Sequence, residues 1–233
     1  MTRLLSILIL STICLTTFGQ HDFGIKLNGG LSKITANRNT SNTTSKYSFA
    51  PSGQGGLFYN LNLGKRSLIG AELLFSQIES KEEMKIIYTD NFGNPTGEFG
   101  TTNLDYHISY FSIPVYYGFK IKSLTINLGV QTSFAFASRG HWISKAPYNG
   151  STLTFEDEGK LNIDSYDFGP RAGLIFNLSK RIAVEATYYY GINNILSTTA
   201  PPEWNWKIQQ ITLGLRYKFF MLVKKDKPTE EKK

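Results

Sequence analysis

Cysteine is almost absent from this chain of 233 residues: the single one, Cys14, lies in an apolar run near the N-terminus. That run, residues 4–15, follows a basic Arg3 and leads to Thr17 and Gly19, the small residues expected before a cleavage point ahead of Gln20. It is too short and one-sided to span a bilayer as a helix, so residues 1–19 read as a signal peptide. Isoleucine rather than a small residue precedes Cys14, which argues against a lipoprotein. Cleavage after Gly19 removes the only thiol, excluding a disulfide, a Cys-based metal site and a thiol nucleophile from the mature chain. Histidine is scarce too, and His21 and His141 stand isolated, so no histidine metal site is expected. Prolines number only 8 against 21 glycines, a balance that suits many short strands. The formal charge of +7 comes from scattered lysines and arginines, with no helix-borne basic cluster or aromatic platform, so a nucleic-acid partner is not expected. Spread positive charge suits a surface among anionic lipid head groups instead.

What the chain does have is alternation. Residues 166–178 place Tyr166, Phe168, Pro170, Ala172, Leu174, Phe176 and Leu178 at every second position, with Asp167, Gly169, Arg171, Gly173 and Asn177 between most of them. After Ser179, Lys180 and Arg181 the pattern resumes with Ile182, Val184, Ala186, Tyr188, Tyr190 and Ile192 opposite residues such as Ala183, Glu185 and Thr187. A period of two is the mark of a strand, and the two runs form a hairpin with one apolar and one polar face. The same pattern begins around Phe23, Leu57, Ile69, Phe111, Leu124 and Ile211, and each apolar run has the length that a tilted strand needs to cross a bilayer. The predicted fold is therefore all-β, an eight-stranded antiparallel up-and-down transmembrane β-barrel over residues 20–223, with the polar face inside.

The connections support this independently. Tight turns at residues 64–67, 122–123 and 179–181 alternate with long polar stretches at residues 35–54, 79–103, 138–164 and 194–205. Short and long alternate when one rim faces the periplasm and the other the cell exterior, which places both termini in the periplasm. Residues 224–233 then form a charged periplasmic tail. In a soluble barrel of this size the apolar face would fill the lumen, yet each strand carries more large side chains than such a lumen holds. Within the second long stretch, residues 85–89 have strand character and Asn94-Pro95-Thr96-Gly97 is turn-like, predicting a hairpin above the membrane.

Three segments carry a resemblance: residues 110–115 (Tyr-Phe-Ser-Ile-Pro-Val), residues 167–173 (Asp-Phe-Gly-Pro-Arg-Ala-Gly) and residues 212–219 (Thr-Leu-Gly-Leu-Arg-Tyr-Lys-Phe). They are similar to the PorT-type outer-membrane β-barrel family of Bacteroidetes, across the whole mature chain. The resemblance implies an integral outer-membrane barrel. Its motifs specify strands rather than chemistry; family members are mostly of unknown role, and the namesake is implicated in a secretion system. One departure is the tail beyond Phe219, since such barrels often end on an aromatic residue.

Two sets of residues are candidates for a site. Lys26, Glu72, Arg171, Glu185 and Arg216 fall on the inward face, and charges of both signs in so narrow a lumen are expected to pair into a network that plugs it. At the outer end of the fourth strand Asp105, His107 and Ser109 share a face, with Glu79 at the corresponding end of the third. A base-activated serine is conceivable there, and the pair is similar to outer-membrane lipid A deacylases, although a polar strand end is the plainer reading. Glu156, Asp157 and Glu158 read as a solvated run rather than a calcium site. The expected function is a plugged outer-membrane barrel, not an enzyme, with a structural or interaction role through its extracellular loops. Lipid hydrolysis and narrow solute conduction are the alternatives. Expected partners are outer-membrane lipids, lipopolysaccharide and a protein met through loops or tail; no cofactor or metal is expected.

Overall fold

The computed structural model describes residues 20–37, 42–89, 95–148, 151–196 and 205–222. Residues 1–19, expected to be a signal peptide, residues 224–233, expected to be a charged tail, and Asn94 of the expected turn lie outside the described residues. Nine strands occur among the described residues: β1 Gln20–Asn37, β2 Thr43–Asn62, β3 Ser67–Thr89, β4 Pro95–Ile121, β5 Leu124–Tyr148, β6 Ser151–Gly159, β7 Tyr166–Asn177, β8 Ile182–Tyr190 and β9 Asn205–Leu222.

Eight of them close a ring. Sequential antiparallel pairing runs from β1 to β5, skips to β7, continues through β8 and β9, and returns to β1 with Asn37 opposite Asn205 and His21 opposite Leu222. Strand β6 pairs only with the outer part of β5, from Gly140 opposite Gly159 to Tyr148 opposite Ser151, and so extends a hairpin beyond the ring. The predicted eight-stranded up-and-down barrel is thus the ring, and β6 is an addition to it.

The three tight turns lie where the sequence places them, between β2 and β3, β4 and β5, and β7 and β8. At the second of these Lys122 has a φ of 54°, the left-handed backbone that a two-residue hairpin turn requires. The long connections are different from expectation. Most of residues 35–54, 79–103 and 138–164 continue the strands rather than forming loops, so β3 and β4 stay paired from Ser67 opposite Phe119 to Thr89 opposite Pro95. The hairpin expected around residues 85–97 is this outer half of β3 and β4.

Along the middle of each ring strand the apolar residues point outward. Leu27 is 73% exposed, Leu128 64% and Leu213 62%, an apolar belt that water would not tolerate and that hydrocarbon covers. Aromatic residues mark its limits: Phe75, Phe111 and Phe136 stack at one end, and Tyr217, Phe219 and Phe23 at the other. On β4 the distance from Phe111 to Phe119 is about 27 Å along the strand at about 3.4 Å per residue. Tilt by about 40° reduces that to about 21 Å, close to the apolar band of such barrels.

Beyond Phe75 and Phe111 the pattern inverts. Ile34, Ile78, Ile108 and Ile208 point inward, whereas Lys33, Glu79, His107 and Lys207 lie on the outside. The polar lumen predicted from alternation therefore holds only within the belt. Above it no lipid covers the outer face, so apolar side chains turn inward, as in a water-soluble barrel.

Candidate functional site

The lumen is built in layers, and the central one is ionic. Lys26 comes from β1, Glu72 from β3, Arg171 from β7, Glu185 from β8 and Arg216 from β9, all at inward positions of strands whose neighbours face lipid. The structure brings all five together. Glu185 Oε2 lies 2.5 Å from Lys26 Nζ, and its Oε1 accepts hydrogen bonds from Arg171 Nη2 at 3.2 Å and Arg216 Nη1 at 3.3 Å. Glu72 Oε2 is 3.1 Å from both Lys26 Nζ and Arg171 Nη2, and its Oε1 is 3.4 Å from Arg216 Nη1. Each carboxylate thus touches all three cations, and the side chains of Lys26, Glu72 and Glu185 have no exposed surface.

Two aromatic residues frame this cluster. Arg216 lies over the Phe58 ring at 4.0 Å and donates from Nη2 to the Tyr116 hydroxyl at 2.9 Å. Tyr116 in turn donates to Asn60 Oδ1 at 2.8 Å. In the ladder Asn60 faces Gly70 and Gly70 faces Tyr116, so the phenol reaches Asn60 across a residue with no side chain. A Cβ at Gly70 would collide with the ring. Phe58 was not singled out in the sequence; its signal is a large aromatic at an inward position among Gly56, Asn60 and Asn62.

Next to the ionic layer lies a neutral polar one, where Gln54 Nε2 donates to Thr212 Oγ1 at 2.9 Å and the Thr187 and Thr212 hydroxyls are 2.6 Å apart. Tyr189 donates to Asp167 Oδ2 at 2.8 Å. Toward the long-connection end the lumen is closed by a packed apolar layer of Ile34, Ile78, Tyr106, Ile108, Trp206 and Ile208, with Ile195 from the segment after β8. Tyr106 stands edge-on to Trp206 with centroids 5.0 Å apart and donates to the buried Glu82, which also accepts from Tyr47 at 3.0 Å. Nothing in the alternation of the belt announces this layer.

The second candidate set sits outside the barrel. In register, Glu79 faces His107, Lys81 faces Asp105 and Gln77 faces Ser109. His107 Nδ1 is 3.4 Å from Glu79 Oε1, both side chains partly exposed. Among the described residues no hydrogen bond joins His107 to Ser109, so the structure pairs the acid and the imidazole without engaging the hydroxyl. An open groove of about 680 Å³ runs past Gln77, His107, Ser109 and Arg139. Around it Arg139 pairs with Glu158 at 3.0 Å and His141 with Glu156 at 2.8 Å, so the acidic run is partly neutralised and His141 is not isolated. No group of three or more His, Cys, Asp or Glu residues placed to hold a metal occurs among the described residues.

Among solved structures, the chain is similar to Neisserial surface protein A at 12% identity, covering 84% of this chain and 97% of that one with a TM-score of 0.45. It is also similar to Ail, the attachment invasion locus protein of Yersinia pestis, at 15% identity over 86% of this chain and 99% of that one, with a TM-score of 0.37. A third is the outer membrane protease OmpT of Escherichia coli, at 10% identity over 86% and 96% and a TM-score of 0.32. No curated protein matches the sequence. The family described as outer membrane protein beta-barrel domain matches residues 18–197, most of the chain. With a closed ring, an apolar outer belt and this match in place, the chain belongs to the outer membrane protein beta-barrel domain family.

Proposed function

We propose that this protein is a sealed outer-membrane barrel whose role is structural or one of interaction, exercised by the strands and loops that project beyond the belt. The observation that carries the reading is the double closure of the lumen, by the five-residue ion cluster and by the apolar layer around Tyr106 and Trp206. A conducting path would need continuous water through both. Purified protein in planar bilayers is therefore expected to give no steady current; a large, stable open-state conductance would replace this reading with that of a channel.

In this reading the tight turns face the periplasm, as do both termini, and residues 1–19 are a signal peptide. The paired outer halves of β3, β4 and β5, extended by β6, form a rigid platform outside the cell, the usual place for binding on a barrel. Lipopolysaccharide surrounds its base, and a protein partner meets the loops or the tail. Within the family, the three segments at residues 110–115, 167–173 and 212–219 favour kinship with the PorT-type barrels of Bacteroidetes.

Lipid hydrolysis is the second reading, favoured by the contact between Glu79 and His107 beside an open groove just beyond the belt. It lacks the bond from base to nucleophile on which an activated serine depends. The structural role therefore stands first.

A further inference from the structure

The ion cluster is not balanced. Among the described residues the carboxylates that Lys26, Arg171 and Arg216 meet are Glu72 and Glu185, so three basic side chains share two carboxylates in a buried layer. Arg171 Nη1 has no hydrogen-bond partner among the described residues. Positive charge held out of water is costly unless an anion lies near it.

Arg216 also lines a vestibule of about 430 Å³ that opens at the tight-turn mouth. Its walls bring Lys120, Lys122, Lys180 and Lys218 together. Among the described residues Asp22 is the one carboxylate there, and it is already engaged by Lys218 at 3.3 Å. Lys218 donates to Asn177 Oδ1 at 3.3 Å and Lys120 to Asn62, so both ammonium groups are held at the wall. Lys122 and Lys180 stand on two turns at the entrance, exposed. The volume is that of a small-ligand pocket.

We propose that this vestibule binds a phosphate-bearing anion. With Lys218 and Asp22 offsetting one another, Lys120, Lys122 and Lys180 remain, more charge than a monovalent anion offsets, whereas a phosphate ester or diphosphate matches them in charge and in hydrogen-bond acceptors. The ion cluster closes the inner end, so the ligand enters and leaves by the same mouth and is held rather than passed. Its source is either a soluble phosphate ester or a lipid headgroup drawn over the rim between the Lys122 and Lys180 turns.

The full mature chain in neutral detergent tests this without reference to orientation in the cell, with inorganic pyrophosphate as the probe in a calorimetric titration. Saturable binding at one site per barrel is expected. It should weaken at least tenfold in the double variant Lys122→Asn, Lys180→Gln, in which asparagine tolerates the left-handed backbone of the turn. The double variant Lys46→Gln, Lys145→Gln at the opposite end removes the same charge and should bind as the wild type does. Unaltered heat-modifiable gel mobility of ligand-free protein verifies that each variant is folded. Absence of saturable binding by wild type, or equal loss in the two double variants, overturns the proposal. Repeating the titration in nanodiscs at matched ionic strength separates the sources: suppression by phosphatidylglycerol relative to phosphatidylcholine assigns the headgroup, and equal binding assigns the soluble ester.

Discussion

Replacing Glu185 by glutamine keeps the shape of the side chain and removes a charge that Lys26, Arg171 and Arg216 share. Three buried cations then face Glu72 alone. Breaking a buried pair costs about 3–5 kcal/mol because the remaining charge is left uncompensated. Glu185 serves three partners, so the upper end, about 5 kcal/mol, is expected. Arg171→Met acts in the opposite sense. It leaves two cations with two carboxylates and fills most of the vacated space, so a loss of about 1–2 kcal/mol is expected. For a domain of this size each kcal/mol shifts the midpoint by about 2–4 °C, which predicts about 10–20 °C for Glu185→Gln and about 2–8 °C for Arg171→Met. The heat-modifiable gel shift reads both directly, with the ratio of folded to unfolded bands followed against temperature. A larger effect for Arg171→Met than for Glu185→Gln would refute the charge count on which the reasoning rests, and no effect of either would refute the sealed ionic layer.

Two further outcomes follow. A protease site inserted between residues 148 and 151 should be cut in intact cells and one at Lys180 should not; external cleavage at Lys180 would invert the barrel. Wild-type protein incubated with lipopolysaccharide should release no fatty acid, whereas release by wild type and not by Ser109→Ala would establish the hydrolase.

The membrane part of the fold was legible because lipid enforces alternation. Where hydrocarbon covers one face, residues such as Leu124, Ile126 and Leu128 must be apolar while Thr125, Asn127 and Gly129 between them need not be. The five charges of the ionic layer fell on inward positions by the same rule, which is why their meeting could be anticipated from sequence. Above the belt the rule lapses. In Thr101-Thr102-Asn103 both faces are polar, and strand pairing there is held by ladder hydrogen bonds that leave no mark in composition. Strand β6 was missed because its alternation is brief, Leu153 and Phe155 giving way to Glu156-Asp157-Glu158. The apolar layer was missed because its phase is reversed: Ile78 and Ile108 alternate with Glu79 and His107 in the opposite sense to Phe75 and Phe111 below them. A search for a change of phase along one strand, rather than for alternation alone, would have located both the layer and the edge of the bilayer.

The seam between β1 and β9 sets the order of events in assembly. These strands stand at opposite ends of the described chain and pair from His21 opposite Leu222 to Asn37 opposite Asn205. Closure joins residues about as far apart in sequence as the barrel permits, and such contacts form slowly because the intervening chain must first be brought into place. Until β9 is delivered, the facing edges of β1 and β8 have no partner, and hydrocarbon does not accept them open. The barrel therefore has no stable part-built form within the bilayer: β9, made after every other strand of the ring, is also the one that completes β1, and insertion waits on it.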